Sequence, residues 1–380
     1  MDHTLKNPTK KVCHLTSAHR SGDARILYKE CTSLSKKDYD VFLVAHGTSY
    51  KKNNVTVIGL GEKPTSRLKR MYSSTRSVYR AALKVDADIY HIHDPELLPY
   101  AYKLKKKGKT VIFDSHEDYL TAITEKTWIP VFLRKLVSLL FAAYEKKVIS
   151  AIDGAIVCYH WTEDRYRKYN KNVSMILNFP ILSDEEIPLP MYGSRNICFA
   201  GLISSLWCHK EIVMALDQLK SVTYELAGTM DEKYGKQIKE LAGWQYVNYR
   251  GVLPYETVKS EVYLKSAIGM ALLDYIALCK GTIGNLSNTK FFEYMQMGLP
   301  LICTDYKLWK EIIEEERCGI CVNPHHVEEI SNAITFLLDH PDQARIMGEN
   351  GRKAVLNKYN WGTEEKKLYD LYRAIVIEGK

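Results

Sequence analysis

The chain has 380 residues, 46% of them hydrophobic, and carries a formal net charge of +8, with a pI near 8.8. That length corresponds to two or three domains at ~150 residues each, and the apolar content excludes a disordered chain. The mild basic excess fits an anionic partner (nucleic acid, an acidic membrane surface or a phosphorylated substrate) or serves solubility alone.

Nine cysteines are scattered along the sequence, an odd number in a chain long enough to fold without staples, and read as reduced thiols of a cytoplasmic protein. The opening MDHTLKNPTKK has no apolar centre, so no secretory signal is expected. No uncharged apolar run reaches about 18 residues, so no membrane span is expected.

Val12 to Ser17 reads as the first strand. His19 to Ile26 is a loop leading into a helix that ends near Ser35, and Tyr39 to Ala45 is the second strand. This order opens a doubly wound sheet. The first turn lacks G-x-G-x-x-G. Gly59-Leu60-Gly61, followed by Pro64, reads as loop, and Arg67 to Lys84 as a basic helix. A strand from Asp88 ends in His91-Ile92-His93-Asp94-Pro95. After a helix over Leu97 to Lys106, closed by Gly108, the strand Thr110 to Phe113 ends in Asp114-Ser115-His116-Glu117-Asp118. Two successive strands thus end in histidine plus carboxylate, where open α/β sheets bind their ligands. His91, His93, Asp94, Asp114, His116 and Glu117 are the candidates. A metal needs three or more converging ligands, which H-x-H on one strand does not supply, and the same side chains could cap the following helices.

Ile129 to Val148 holds apolar residues at helical spacing: Ile129, Phe132, Leu133, Leu136, Val137, Leu140, Phe141 and Tyr144. Trp128 opens it, and Arg134, Lys135, Lys146 and Lys147 lie around it. Two readings stand: a helix lying in an anionic membrane interface, and a long core helix with a basic outer rim, the commoner case. Asp153 to Tyr159 and Val173 to Asn178 read as the last strands of this half.

Leu182 to Ser194, with Pro188 and Pro190 and no periodicity, reads as a linker. It divides the chain into domains at 1–185 and 193–360. Beyond it the pattern restarts with strands at Asn196–Ala200, Tyr224–Gly228, Val247–Gly251 and Ala267–Leu273, separated by helices. Cys318-Gly319-Ile320-Cys321 is a lone C-x-x-C with no second pair, and belongs to a strand over Gly319 to Val322 rather than to a metal. Helices follow at Val327–Asp339 and Ala344–Asn357, and a terminal helix begins at Trp361.

The most informative stretch is Asn288 to Asp305, NTKFFEYMQMGLPLICTD. Thr289 to Met297 reads as a short helix, Gly298 as the left-handed residue past its end, and Leu299 to Cys303 as a buried strand. The polar loop before it, with Gly281, Gly284, Asn285, Ser287, Asn288 and Thr289, opens the helix with free N–H groups and the positive dipole end that suit a phosphate. Glu293 could accept hydrogen bonds from a ribose diol, and Lys290 could add a cation for a diphosphate. An ordinary loop–helix–strand unit with a surface glutamate fits the same residues.

NTKFFEYMQMGLPLICTD resembles the nucleotide-sugar-binding segment of the retaining glycosyltransferases of family 4, which have the GT-B fold: two doubly wound Rossmann-like α/β domains facing across a cleft, with a C-terminal helix crossing back to the first. HIHDPELLPYAYKLKKKGKTVIFDSHEDY, DARILYKECTSLSKKDYDVFLVA, ILNFP and NWGTEEKKLYDLY resemble further segments of family members from polysaccharide loci.

The resemblance implies transfer of a hexosyl-type sugar from a UDP- or GDP-linked donor, with retention, no cofactor and no metal. The acceptor it implies is a lipid-linked saccharide of capsule or O-antigen type, met on the inner face of the cell membrane. It implies an acceptor domain at 1–185 with helix 361–380, and a donor domain at 193–360. By position, Glu293 would hold the ribose, and Gly22, Gly201, Lys210, Asn288, Thr289 and Lys290 would line the donor site. His116, His93, Asp94 and Asp23 would serve catalysis. Trp128, Arg134 and Lys135 would meet the anionic membrane.

The sequence departs from the family pattern at Asn285, where many members have a glutamate, and at Leu202 and Trp207, where members usually have cations; His209, Lys210 or Lys290 could stand in for those cations. A nucleotide-sugar 2-epimerase shares the architecture, and a non-catalytic binding protein is the alternative from another class. Nucleic acid is not an expected partner, because the aromatics are not interleaved with Lys and Arg as stacking platforms would require.

Overall fold

A computed structural model describes residues 10–66, 70–126, 128–183 and 185–378. The chain divides into two compact units, one of residues 1–178 with 361–380 and one of residues 179–360.

The first unit is built on an eight-stranded sheet. Its strands are β1 (Lys11–Arg20), β2 (Asp40–His46), β3 (Tyr50–Lys52), β4 (Val55–Gly59), β5 (Ile89–Ile92), β6 (Thr110–Ser115), β7 (Gly154–Val157) and β8 (Val173–Met175), in the order β3-β4-β2-β1-β5-β6-β7-β8. All neighbours are parallel except β3 and β4. The β3–β4 hairpin lies just ahead of the expected Gly59–Gly61 loop, in a stretch for which no element was expected, and takes in only Gly59 of that loop. Its turn is Asn53-Asn54, both at positive φ (50° and 59°), the conformation a tight two-residue hairpin requires and asparagine tolerates. The basic helix expected from Arg67 begins outside the described residues; its described part is a wide turn at Arg70–Ser74 followed by Thr75–Val85.

Each sheet face has its own core, because side chains alternate along a strand. Cys13, Leu15, Tyr90, Ile92 and Phe113 fill one face. Val12, Leu43, Ile89 and Ile112 fill the other, under the helix Ala24–Ser35 and the terminal helix Trp361–Glu378. The terminal helix returns to this unit as expected. Trp361 Nε1 donates to Ser33 Oγ (2.8 Å), Glu364 Oε2 accepts from Leu177 N (2.7 Å) and Tyr369 OH donates to the Ser33 carbonyl (3.0 Å).

The second unit is a six-stranded parallel sheet of β9 (Asn196–Ala200), β10 (Thr223–Ala227), β11 (Val247–Tyr249), β12 (Ile268–Ala271), β13 (Leu301–Thr304) and β14 (Gly319–Val322). The order is β11-β10-β9-β12-β13-β14. Residues 179–194 belong to this unit, so the boundary falls at 178/179. Phe179 packs on Phe292 with ring centroids 4.5 Å apart, Gln296 donates to the Ile181 carbonyl (2.7 Å), and Arg352 donates to those of Ile187 (2.8 Å) and Pro188 (2.9 Å). Such fixed partners make the stretch part of the second unit rather than a free linker.

Candidate functional site

In both sheets the strand order reverses beside the first strand of the unit, at β1/β5 and β9/β12. Ligands of open α/β sheets bind at such points, outside the carboxyl ends of the strands.

In the second unit the helix Thr289–Met297 starts where its sequence predicts. Asn288 is its N-cap, its side-chain oxygen accepting from Lys290 N (3.1 Å), and Gly298 closes it at φ 77°. A cleft of about 390 Å³ opens beside it, lined by Gly201, Leu202, Gly228, Thr229, Lys290 and Glu293 and walled by Val252, Leu253 and Tyr255. Gly201 and Gly228 permit the close approach here: a Cβ on Gly201 would run into Lys290, and one on Gly228 into the Gly201 carbonyl.

The Lys290 ammonium lies 5.4 Å from the Phe199 ring centroid and 5.5 Å from that of Trp207. Burial pulls its pKa down, with Glu293 opposing. Glu293 is half-buried, and its Oε2 accepts a long hydrogen bond from Tyr263 OH (3.4 Å). A cation and a carboxylate one helical turn apart can hold an anion and a diol.

Lys210 is exposed on the helix His209–Leu219, outside the residues that line this cleft. His209 is buried against Tyr224 OH (2.9 Å), and burial, then Lys290, pushes its pKa down to about 3. Thr289 is half-buried at the first turn of the cleft helix.

In the first unit, sheet alternation and register turn His14, His91, His93 and Asp114 to the face under the helix Ala24–Ser35, with His14 directly beside His91. Asp114 is the hub. Arg25 gives it two hydrogen bonds, from Nε (3.1 Å) and Nη2 (3.2 Å), and His116 Nε2 stands 3.1 Å from its Oδ2. Burial opposes its charge, but Arg25 and His116 hold its pKa well below the usual carboxylate range. His116 keeps 15% of its side chain exposed. His93 has none exposed; its Nδ1 is 3.1 Å from His116 Nε2 and its Nε2 is 2.9 Å from His14 Nδ1. Burial lowers the pKa of His93 to about 4.

Asp94 is also buried. It accepts from Thr16 Oγ1 (2.8 Å), Ser17 N (2.6 Å) and Ala18 N (3.0 Å) and pairs with His19 (3.2 Å), so it fastens the loop after β1. Against burial, His19 and these donors keep it ionised. Asp23 caps the next helix, its Oδ1 accepting from Arg25 N (2.9 Å) and Ile26 N (3.0 Å), and Gly22 is exposed beside it. Sequence reasoning missed Arg25, Glu30, His14 and Tyr372, whose OH meets His91 Nδ1 at 2.9 Å. The available signals were a histidine inside an apolar strand and two charges on one helix.

The helix expected from Ile129 spans Val131–Ile149 and buries only Glu145, Val148 and Ile149 fully. Part of its apolar stripe faces outward: Phe132 is 82% exposed, Leu136 52% and Leu140 64%, beside Trp128 at 56%, while Ile129 is buried and Phe141 packs on Tyr119. Lys135, Lys146 and Lys147 are exposed on it. Arg134 is tied to the carbonyls of Ile129 (2.9 Å) and Thr124 (3.3 Å). Among the described residues, no helix is long and apolar enough to cross a membrane.

Two doubly wound parallel-sheet domains, with a cation–carboxylate cleft at the carboxyl ends of β9 and β10 in the second, define the GT-B class of fold. Residues 20–179 match the family described as Glycosyltransferase Family 4, and residues 209–354 that described as Glycosyl transferases group 1. The chain belongs to these glycosyltransferases.

It is similar in structure to a sucrose-phosphate synthase from Thermosynechococcus elongatus (TM-score 0.73, 16% identity, 97% of this chain and 100% of that one). It is likewise similar to Anabaena HepE, solved with UDP and glucose (TM-score 0.69, 12% identity, 96% and 100%). Among curated proteins it is 23% identical over 196 residues to an uncharacterised glycosyltransferase of Methanocaldococcus jannaschii, covering 51% of this chain and 48% of that one. It is 30% identical over 83 residues to a GDP-mannose-dependent alpha-(1-6)-phosphatidylinositol monomannoside mannosyltransferase of Mycobacterium tuberculosis, 22% of each. The chain thus spans about half or less of the length of the curated relatives it matches.

Proposed function

We propose that the protein is a retaining, metal-independent glycosyltransferase that moves a hexosyl-type sugar from a UDP- or GDP-sugar to a lipid-linked saccharide in cell-surface polysaccharide synthesis. The observation that carries this reading is the second-unit cleft, where Lys290 and Glu293 stand on the first turns of one helix beside Gly201 and Gly228. In this reading the helix N-terminus and Lys290 take the diphosphate, stabilising the charge that develops as the sugar leaves. Glu293 accepts from the ribose diol, and Tyr255, Val252 and Leu253 wall the nucleoside.

The first unit supplies the acceptor side. His116, held by Asp114, steadies charge or a hydroxyl near the reacting carbon. His93 and Asp94, both buried, act through their neighbours: His93 positions His116, and Asp94 fixes the loop that leads to Gly22 and Asp23. The exposed stripe Phe132–Leu136–Leu140 with Lys135, Lys146 and Lys147 fits the surface of an anionic membrane, where a lipid-linked acceptor is found.

Incubation with UDP-, GDP- and dTDP-sugars and polyprenyl-diphosphate saccharides, with chelator present, tests the reading. Nucleotide release coupled to a product of retained anomeric configuration is expected. Absence of release with every pair contradicts it, and a free epimer formed without acceptor points to the 2-epimerase.

A further inference from the structure

The first unit buries a group of polar atoms that the transfer reaction does not use. His14, Glu30 and His91 have no exposed surface. His14 Nε2, His91 Nε2 and both oxygens of Glu30 lack a hydrogen-bond partner. Arg25 Nε approaches Glu30 Oε1 (3.0 Å), but its N–H is directed to Asp114. Glu30 Oε2 lies 3.8 Å from His91 Nε2 and 3.9 Å from His93 Nε2, too far for hydrogen bonds. One ligand atom from each of His14, Glu30, His91 and His93 fits within a mutual spacing of 4.8 Å.

We propose that His14, Glu30, His91 and His93 form a buried site for one divalent transition-metal ion of the zinc class, taken up as the first unit folds. Three imidazoles and a carboxylate are the ligand set such ions prefer. Zinc bonds of about 2.0–2.2 Å set tetrahedral ligand atoms about 3.3–3.6 Å apart, so the wider pairs of the group, spaced up to 4.8 Å, close in around the ion. Two of the three histidines already have the outer partners that ligating histidines need, whereas His14 Nδ1 faces His93 Nε2 at 2.9 Å, a contact the ion would replace. His91 Nδ1 meets Tyr372 OH (2.9 Å), and His93 Nδ1 stands 3.4 Å from Asp114 Oδ2, itself fixed by Arg25.

A single proton on Glu30 answers the argument less well, because one O–H satisfies one neighbour and leaves the other buried atoms bare. The ion would tie β1, β5 and the helix of Glu30 together, with Tyr372 of the terminal helix behind. This role is structural: the ion takes no part in the metal-free transfer proposed above, and it meets that transfer only through His93, which would ligate the ion through Nε2 while its Nδ1 faces His116.

The test is metal content. Full-length protein is unfolded in denaturant with chelator, then refolded with Zn²⁺ or Co²⁺ and desalted against chelator. Retention of about one ion per chain is expected, with visible Co²⁺ absorption and a higher melting temperature than protein refolded without metal. Glu30→Gln and His91→Asn, with folding checked by circular dichroism, should lose the ion. His325→Ala should keep it, since His325 belongs with Cys208 and Asp274 to a separate group, partly exposed. Wild-type protein retaining less than about a tenth of an ion per chain overturns the proposal and leaves the space to a proton or a water. Retention by His91→Asn equal to wild type also overturns it.

Discussion

The Lys290 ammonium rests over the Trp207 ring, 5.5 Å from its centroid. Trp207 stands where the resemblance leads one to expect a cation, and its face instead holds a cation supplied from the helix Thr289–Met297. Phe199 flanks the same ammonium at 5.4 Å. A positive charge is thus delivered to the cleft from a different element.

If Trp207 positions Lys290, Trp207→Ala should weaken binding of UDP or GDP by the worth of a cation–π contact. At about 0.5–2 kcal/mol that is roughly two- to thirtyfold. Trp207→Phe should recover part of the loss. Calorimetric titration of the two variants checks this; equal affinity in wild type and Trp207→Ala would mean that Lys290 is held without the ring.

His209 sets a pH dependence of stability. Its folded-state pKa is about 3, from burial and then Lys290, against about 6.5 in an unfolded chain. The unfolded state therefore binds the extra proton between these values. Stability should be flat above about pH 6.5 and fall below it by up to about 1.4 kcal/mol per pH unit from this group. His209→Gln, which cannot titrate, should show a shallower loss between pH 6.5 and 4.5 in urea unfolding. Parallel curves for the two proteins would place the proton elsewhere.

The outward stripe of the helix Val131–Ile149 predicts lipid binding. Each Lys near an anionic surface contributes about 1 kcal/mol, and Phe132 and Leu140 add apolar burial. Sedimentation should show binding to anionic but not neutral liposomes, weaker at high salt. Neutralising Lys135, Lys146 and Lys147 together should weaken it several-fold at least. Binding indifferent to lipid charge and to these changes would leave the stripe for another partner.

Local signals were legible in the sequence where they decide structure. Thr289–Met297 and Val327–Asp339 span the residues their spacing predicts, because the apolar period is clear in both and, for the first, the Asn288 N-cap and the terminal Gly298 agree with it. The β3–β4 hairpin was missed because β3 has only three residues, although Asn53-Asn54 carried its turn. Of the cleft, Gly201, Lys290 and Glu293 were legible, the last two because they lie one turn apart on a single helix, whereas Gly228, Thr229 and the wall of Val252, Leu253 and Tyr255 come from strand ends and loops that no local pattern ties to it. The His14–Glu30–His91–His93 group was not. It depends on the register of β1 against β5 and on a helix crossing above them, separations of up to 79 residues that no local pattern reports. Trp207 read as a lost cation with His209, Lys210 and Lys290 as its candidate replacements; that Lys290 is the one lying over the Trp207 ring depends on a contact between residues far apart in the chain.

The central claim is that the second unit holds a nucleoside diphosphate through Glu293 and Lys290. Its most direct test is calorimetric titration of UDP and GDP into wild type and Glu293→Ala. One of the two nucleotides should bind the wild type. Loss of a charge-assisted hydrogen bond worth about 1.5–3 kcal/mol should then weaken it roughly ten- to a hundredfold. An unchanged dissociation constant in Glu293→Ala, or no binding of either nucleotide to the wild type, would contradict it.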